Sequence, residues 1–457
     1  MAKGSFIVSY QLLNFIPVGI KDKYVLVSHD RGSCFVCDHD IYCRIKKGTI
    51  DEELALKLHQ SHIISIDGMP EFQKPSNSIE IKPVFFLIDI TKICNLECIY
   101  CFREHKSITI SYEVLIDILD YIYSYCKMNK LEYISIQPWG GEPIAAIERI
   151  RDIYDYFLDK DEIDCKISVE TNGTLITPQI ARALREMKCG IGISLDGFAS
   201  LHDLNRPTNS MKGSFSEVHR GINCLLQAGY SMDEIGTILT LTSNNIDYVE
   251  EIIDYFHDTL RISKFKMNCA FLNPIMNSKN KDILITPADF AKAQIRACEK
   301  IFQLLKSGKV ISESNIIQKG RNILYRNKGD ICKSQGCQGG YRMVAFDAQG
   351  NIFPCNLTDY PEIAIGSIYT NVDLQKLIFE NTLTHSFFKP KTLDECNNCP
   401  WFYFCKGGCR STSHYAHNEF LRKDEYECRS NHVLYPFLID KFLDHPEIIQ
   451  YFERGIS

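Results

Sequence analysis

The chain has 457 residues, 45% of them hydrophobic, and a formal net charge of −6. A chain of this length buries a large core and divides into two or three domains, while its interspersed charges, with no long Lys/Arg run, speak against a nucleic-acid partner. No apolar stretch approaches the ~20 residues of a membrane span and the opening Met-Ala-Lys-Gly-Ser-Phe lacks a signal-peptide core, so a cytoplasmic protein without a membrane partner is expected. In a reducing cytosol its 20 cysteines read as metal ligands and free thiols, because a disulfide framework would not stay oxidised there.

In chain order, Tyr24 to Ser28 and Ser33 to Asp38 predict a hairpin across Asp30-Arg31-Gly32, followed by a helix from about Asp51 to His59. Cys34, Cys37 and Cys43 fall in this stretch. Strand alternation points Cys34 and Cys37 to opposite faces, so the three are read as free thiols. From 83 to about 306, short β-rich runs alternate with amphipathic ones. Strands are predicted at Phe85 to Ile90, Tyr133 to Pro138, Cys165 to Thr171, Gly190 to Leu195, Ile235 to Leu241 and Phe265 to Ala270. Helices are predicted at Tyr112 to Cys126, Pro178 to Met187, Phe215 to Ala228 and Ile246 to Leu260. Six strands separated by helices imply βαβ units and a parallel sheet, whose chemistry belongs at the carboxyl ends of its strands. Cys126, Cys165, Cys189, Cys224, Cys269 and Cys298 are scattered singly among apolar residues, as small buried hydrophobes are.

Directly after the first of these strands comes T-K-I-C-N-L-E-C-I-Y-C, in which Cys94, Cys98 and Cys101 supply three thiolates on one loop. A cubic cluster of four irons held by three thiolates keeps one iron open for a small molecule; a partial zinc site and buried thiols are the alternatives. Gly140-Gly141-Glu142-Pro143 follows the second strand. Its glycines allow close backbone approach to a ligand and Glu142 can meet an ammonium group, against the plainer reading of a turn with Pro at the first helical position. Asn172 and Thr174, after the third strand, either line the same mouth or cap the helix near Pro178. Ser194 to Arg206, S-L-D-G-F-A-S-L-H-D-L-N-R, carries Asp196, His202, Asp203 and Arg206. Arg206 is suited to clamp a carboxylate in a bidentate way, and a solvated charged loop is the alternative.

The three-cysteine loop with Tyr100, the Gly-Gly-Glu-Pro segment and the S-L-D-G…H-D…R run together resemble the radical SAM (S-adenosylmethionine) superfamily. The resemblance implies a partial (β/α)6 TIM-like barrel over 83–306, with Tyr100, Gly140, Gly141, Glu142, Asn172, Ser194 and Arg206 at the SAM site. It also implies that one electron cleaves SAM to a 5′-deoxyadenosyl radical that abstracts hydrogen from an unactivated carbon, the cofactor doing the hard chemistry. An electron donor such as a flavodoxin or ferredoxin is implied with it.

Further on, Cys337 and Cys355 are followed by Cys396-x2-Cys399-x5-Cys405-x3-Cys409 and by Cys428, with Cys332 five positions before Cys337. A zinc ribbon would call for two Cys-x2-Cys pairs, and this region has one. The spacing resembles the seven-cysteine motif of SPASM domains, which extend radical SAM enzymes that modify peptides and proteins. By resemblance to anaerobic sulfatase maturases, Cys332, Cys337, Cys355 and Cys409 hold one auxiliary cluster and Cys396, Cys399, Cys405 and Cys428 a second. Three [4Fe-4S] clusters are thus expected, with a SPASM domain over 307–457. The first 82 residues are then a candidate leader-peptide recognition domain, and their opening is similar to His-Xaa-Ser system peptide maturases.

Full ligation of both auxiliary clusters argues for electron transfer, hence for an oxidative modification of a precursor peptide or protein. Where sulfatase maturases follow the cysteine matching Cys355 with an aspartate base, this chain has Asn356, an amide that accepts no proton at neutral pH. Asp359 is the candidate substitute base. Crosslink formation in a ribosomally made peptide is therefore the first expectation and formylglycine formation the second. A non-catalytic iron–sulfur electron carrier is the third, although a carrier would need neither Glu142 nor Arg206.

Overall fold

A computed structural model of the chain describes residues 9–67, 69, 81–273, 275–276, 278–326, 332, 337–356, 360–370, 372–381 and 393–453. Its N-terminal part carries β1 (Tyr10–Leu12), β2 (Phe15–Ile20), β3 (Lys23–Ser28), β4 (Cys34–Asp38) and β5 (Ile64–Ile66). β2, β3 and β4 form an antiparallel sheet and β1 pairs with β5. The predicted hairpin is there, with Val27 opposite Cys34, and so is the predicted helix, at Glu52–Gln60, capped by the Asp51 side chain on the Leu54 N–H. Strand β2 went unpredicted because F-I-P-V-G-I holds a proline and a glycine, both depleted in strands. Helix His39–Lys47 was also missed; it starts directly at the end of β4, with Asp38 accepting from the Ile41 N–H. Cys37 packs with Leu26, Ile45 and Leu58, whereas Cys34 packs on the other side near Val25, Val27, Trp401 and Tyr435.

The central sheet follows from isoleucine and valine at alternate positions, the pattern of strands with one face in a core. β6 (Phe85–Thr91), β7 (Tyr133–Gly140), β8 (Asp164–Thr171), β9 (Gly190–Ser194), β10 (Ile235–Leu241) and β11 (Lys264–Cys269) lie side by side in chain order, all parallel. This is the α/β, partial TIM-like barrel that the six predicted strands imply. Phe86, Ile136, Ile167, Ile191 and Met267 point outward into one core shared with the surrounding helices. The positions between them, among them Leu87, Asp89, Gln137, Ser168, Glu170, Gly192 and Lys266, share registers along the opposite, inner face.

Two additions extend this sheet. β12 (Ser312–Glu313) joins β11, and on the far side β13 (Met343–Phe346) runs parallel to β6, continued antiparallel by β14 (Asn351–Phe353) and β15 (Gly366–Ser367). A second small core, with Leu87, Tyr341, Met343 and Phe353 at its centre and Cys337, Cys355 and Trp139 packed on it, joins this hairpin to the inner face of the barrel. The helix expected over Ile246 to Leu260 is instead a 3-10 turn (Ile246–Tyr248), a short α-helix (Val249–Asp254) and a π-helical turn (Tyr255–Thr259). The Arg296 guanidinium takes the Ile246 and Asp247 carbonyls at 3.2 and 2.7 Å, which diverts them from regular helical pairing.

Helix Phe215–Gln227 rests on the T-N-G turn after β8 at Gly221, where a Cβ would lie 2.1 Å from the Gly173 carbonyl oxygen. Gly221→Ala must push the helix off that turn. Overpacking of this kind costs about 1–3 kcal/mol, to be read as a lowered urea midpoint with an unchanged m-value.

Candidate functional site

The loop after β6 brings the Cys94, Cys98 and Cys101 thiols within electrostatic reach of one another, and burial pushes all three up, Cys94 to about 12. The loop does not hold itself. The Glu97 N–H donates to the Pro207 carbonyl at 2.8 Å, the Ile99 N–H to the Asn205 carbonyl at 3.0 Å, and Asn209 Nδ2 to the Cys94 carbonyl at 3.2 Å. Asn95 reaches the other way, donating to Thr174 Oγ1 at 2.7 Å and accepting from Asn172 Nδ2 at 3.0 Å.

Gly140 has φ +139°, and a Cβ there would meet the Thr91 carbonyl oxygen at 1.8 Å. The Gly141 and Glu142 N–H groups donate to the Thr91 and Ile93 carbonyls at 2.7 and 2.8 Å, so the close approach the glycines permit is to the chain's own strand leading into the cysteines. Glu142 is bonded within the chain as well. Its carboxylate is 1% exposed and accepts from Thr171 Oγ1 at 2.6 Å, the Asn172 N–H at 2.7 Å and the Ile144 N–H at 3.0 Å. Burial raises its pKa and these bonds oppose the rise. The plainer turn reading thus holds as well, with Glu142 capping the Pro143–Ala146 turn. Asn172 caps no helix: its Oδ1 accepts from the Thr174 N–H at 2.9 Å, while Thr177 caps the helix Pro178–Glu186.

After β9, Asp196 is fully buried. It accepts from Tyr100 Oη at 2.5 Å, Arg206 Nε at 3.0 Å and the Thr240 N–H at 2.9 Å. The Arg206 guanidinium lies 5.2 Å from the Tyr100 ring centroid, and its Nη1 lies 3.9 Å from Cys98 Sγ. Expected to clamp a ligand, Arg206 has one edge on Asp196, and its charge opposes the upward shift of all three cysteines, which favours thiolates. Ser194 ends β9 on the inner face, paired in register with Ile238. Asp203 is not at the mouth: it accepts from the Ser214 and Phe215 N–H groups at 2.8 Å and caps the next helix.

In the C-terminal region Cys337 lies within electrostatic reach of Cys355, Cys409 and Cys332, and burial pushes its thiol well up. Cys396, Cys399, Cys405 and Cys428 line one cavity together with Lys423 and His432, whose Nε2 is 3.5 Å from Cys399 Sγ. Among the described residues no three Cys, His, Asp or Glu side chains are close enough to hold a single metal ion; the thiols from Cys396 to Cys428 surround a cavity instead. Asp359 lies outside the described residues. Arg103, two residues after Cys101 and missed from the sequence, donates to Asp89 and, at 3.2 Å, to the carbonyl of Asn356 beside Cys355. It links the two cysteine regions directly.

Residues 88–256 match the model of the radical SAM superfamily. The chain is 27% identical over 386 residues to the cysteine-type anaerobic sulfatase-maturating enzyme of Clostridium perfringens, covering 81% of this chain and 98% of that one. The solved structure of native anSMEcpe with bound AdoMet and the Cp18Cys peptide is similar at 25% identity and a TM-score of 0.69, covering 80% of this chain and all of the other. Streptococcus suis SuiB bound to its precursor peptide SuiA shares the fold at 15% identity and a TM-score of 0.54, over 92% of this chain and all of the other. With three converging thiols at the mouth of a six-stranded parallel barrel, the chain carries a radical SAM domain over residues 88–256 and is a radical SAM enzyme.

Proposed function

We propose that this enzyme oxidises a cysteine or serine side chain of a peptide or protein to the formylglycine carbonyl. The carrying observation is that Cys337 and Cys355, with Cys332 and Cys409 within electrostatic reach of Cys337, sit against the small core that also holds Leu87 and Trp139 of the barrel. An electron acceptor bound there adjoins the space where a substrate radical would form. The alignment along 98% of a sulfatase-maturating enzyme supports this reading over crosslinking, reversing the order expected from Asn356.

In this reading Cys94, Cys98 and Cys101 hold the SAM-binding cluster. Cys332, Cys337, Cys355 and Cys409 hold the first auxiliary cluster and Cys396, Cys399, Cys405 and Cys428 the second, in a SPASM-type unit from about residue 307. When bound, the clusters and SAM supply the radical and one-electron chemistry, with electrons from a donor such as a flavodoxin or ferredoxin. The chain's own part is to hold and exclude. Arg206, held by Asp196, biases Cys98 toward the thiolate, and the Glu142 network locks the turns after β7 and β8 into one wall beside Tyr100, Asn172 and Ser194.

A second reading, crosslinking of a leader-bearing precursor, has one observation in its favour. β2 and β4 are the edges of the N-terminal sheet, where an extended peptide can add a strand. Deleting that sheet is a poor test, since Val25 and Val27 cover Trp401, Phe404 and Tyr435. The intact protein decides between the two. Given a cysteine-containing sulfatase peptide, it should produce the mass loss of formylglycine; hydrogen loss from a leader-bearing precursor, with the sulfatase peptide unchanged, would establish crosslinking.

Anaerobically reconstituted protein should carry about twelve irons per chain, as three cubic clusters require. Replacing Cys94, Cys98 and Cys101 together by Ala should remove about four of them and all SAM cleavage; zinc in their place would refute the assignment. Cys409→Ala and Cys428→Ala should each leave SAM cleavage intact but uncouple it, so that 5′-deoxyadenosine accumulates without product.

A further inference from the structure

Inside the barrel a carboxylate and an ammonium share the inner face. Glu170 precedes Thr171 on β8 and Lys266 lies on β11, and their charges interact. Val169 and Thr171, on either side of Glu170, are 0% and 2% exposed, yet Glu170 is itself open to water although protein surrounds it. On a strand whose other face is covered by helices, such a side chain points into a hollow lumen. The sequence keeps that lumen clear. Glu170 stands in register with Gly192, and Gly192 with Gly236. A Cβ at Gly192 would come within 3.3 Å of Glu170 Cγ.

Among the described residues, three further groups face Glu170. The Gln137 amide donates to it from β7, Lys266 approaches from β11, and Lys166 lies four residues back on the same face. Asp89, further round on β6, is occupied by Arg103. Thr171, the next residue, fastens Glu142 at the mouth, so Glu170 lies one position inside the proposed cofactor wall. Burial pushes its carboxyl up, opposed by Lys266 and Gln137, the direction that suits a group that must accept a proton and release it again.

We propose that Glu170 is the base of the oxidation, filling the role that the amide of Asn356 cannot. This rests on the reading given under Proposed function. The substrate CH2–SH group loses one hydrogen atom to the radical chemistry of bound SAM and one electron to an auxiliary [4Fe-4S] cluster. Its S–H proton goes to Glu170 as the C–S bond becomes C=S, and water then replaces sulfur to give the aldehyde and hydrogen sulfide. Lys266 favours the ionised carboxylate against the effect of burial.

The test uses reconstituted holoenzyme, SAM and a cysteine-containing sulfatase peptide. Glu170→Gln should lower product formation by about 10²-fold or more while iron content and 5′-deoxyadenosine yield stay at the parent level, and Glu170→Asp should restore part of the rate. In the parent the rate should rise with pH through the raised carboxyl pKa, and this acid limb should vanish in Glu170→Gln. Infrared difference spectra, parent against Glu170→Gln, should show one carboxyl titrating over the same pH range. Product formation by Glu170→Gln within threefold of the parent overturns the proposal. So does loss of SAM cleavage in both variants, which would make Glu170 part of the scaffold, and so does Asp359→Asn abolishing product while Glu170→Gln does not. A parent that cleaves SAM but leaves the peptide unchanged instead overturns the formylglycine reading, and the base assignment with it.

Discussion

Everything at the mouth of this barrel hangs on the carboxylate of Asp196. A fully buried charge costs several kcal/mol unless it is paired and hydrogen-bonded, and Asp196 is, by Tyr100 from the cysteine loop, Arg206 from the helix after β9 and the backbone of β10. Its own N–H donates to His202 Nδ1 at 3.2 Å, and the buried His202 in turn meets Ser214 at 3.1 Å. Burial keeps that imidazole neutral by lowering its pKa to about 4. One side chain thus fixes where the loop, the guanidinium and the neighbouring strand stand relative to one another. Taking away one partner would strand a charge in a dry site, at a cost of about 3–5 kcal/mol, and would release the loop that carries the thiols.

The barrel divides its labour between its two faces. Outward positions are isoleucine, valine and phenylalanine packed under helices, and they supply the burial that stabilises the domain. Inward positions carry Asp89, Gln137, Glu170 and Lys266 with glycines between them, which contribute little packing and much polarity. The small core around Tyr341 and Phe353 then closes one side of the lumen with the segment that bears Cys337 and Cys355.

Much of this is legible in the sequence because two of its signals are redundant. The alternation of isoleucine and valine fixes each strand to within a residue or two, from Phe85–Thr91 to Lys264–Cys269, and each motif read between Cys94 and Arg206 follows one of those strands. What stayed hidden depends on contacts distant in the chain. Nothing near Arg103 announces that it will bond to Asn356, and Ile246 to Leu260 reads as one helix because Arg296, which breaks it, lies on another. The intrachain partners of Glu142 and the close approach of Gly140 to Thr91 are equally silent in the sequence, although tight turns must satisfy their own buried donors and acceptors. Glu170 had a signal that passed unused: a charge at the inner position of a strand otherwise read as core.

The N-terminal sheet has its apolar face on Trp401, Phe404, Tyr435 and Ile439, and Lys21 pairs with Asp440 at 2.8 Å and Asp444 at 2.7 Å. The residues of this sheet therefore wait for partners made far later in the chain before that face can be covered. Contacts of such sequence separation form late and slowly, and a sheet left half-bare in the meantime is exposed to misassembly. The residues they wait for neighbour Cys399 and Cys405, so closure of the chain and closure of the second thiol cavity are one event. Until residues 401–439 have been made and folded onto the sheet, that cavity cannot close.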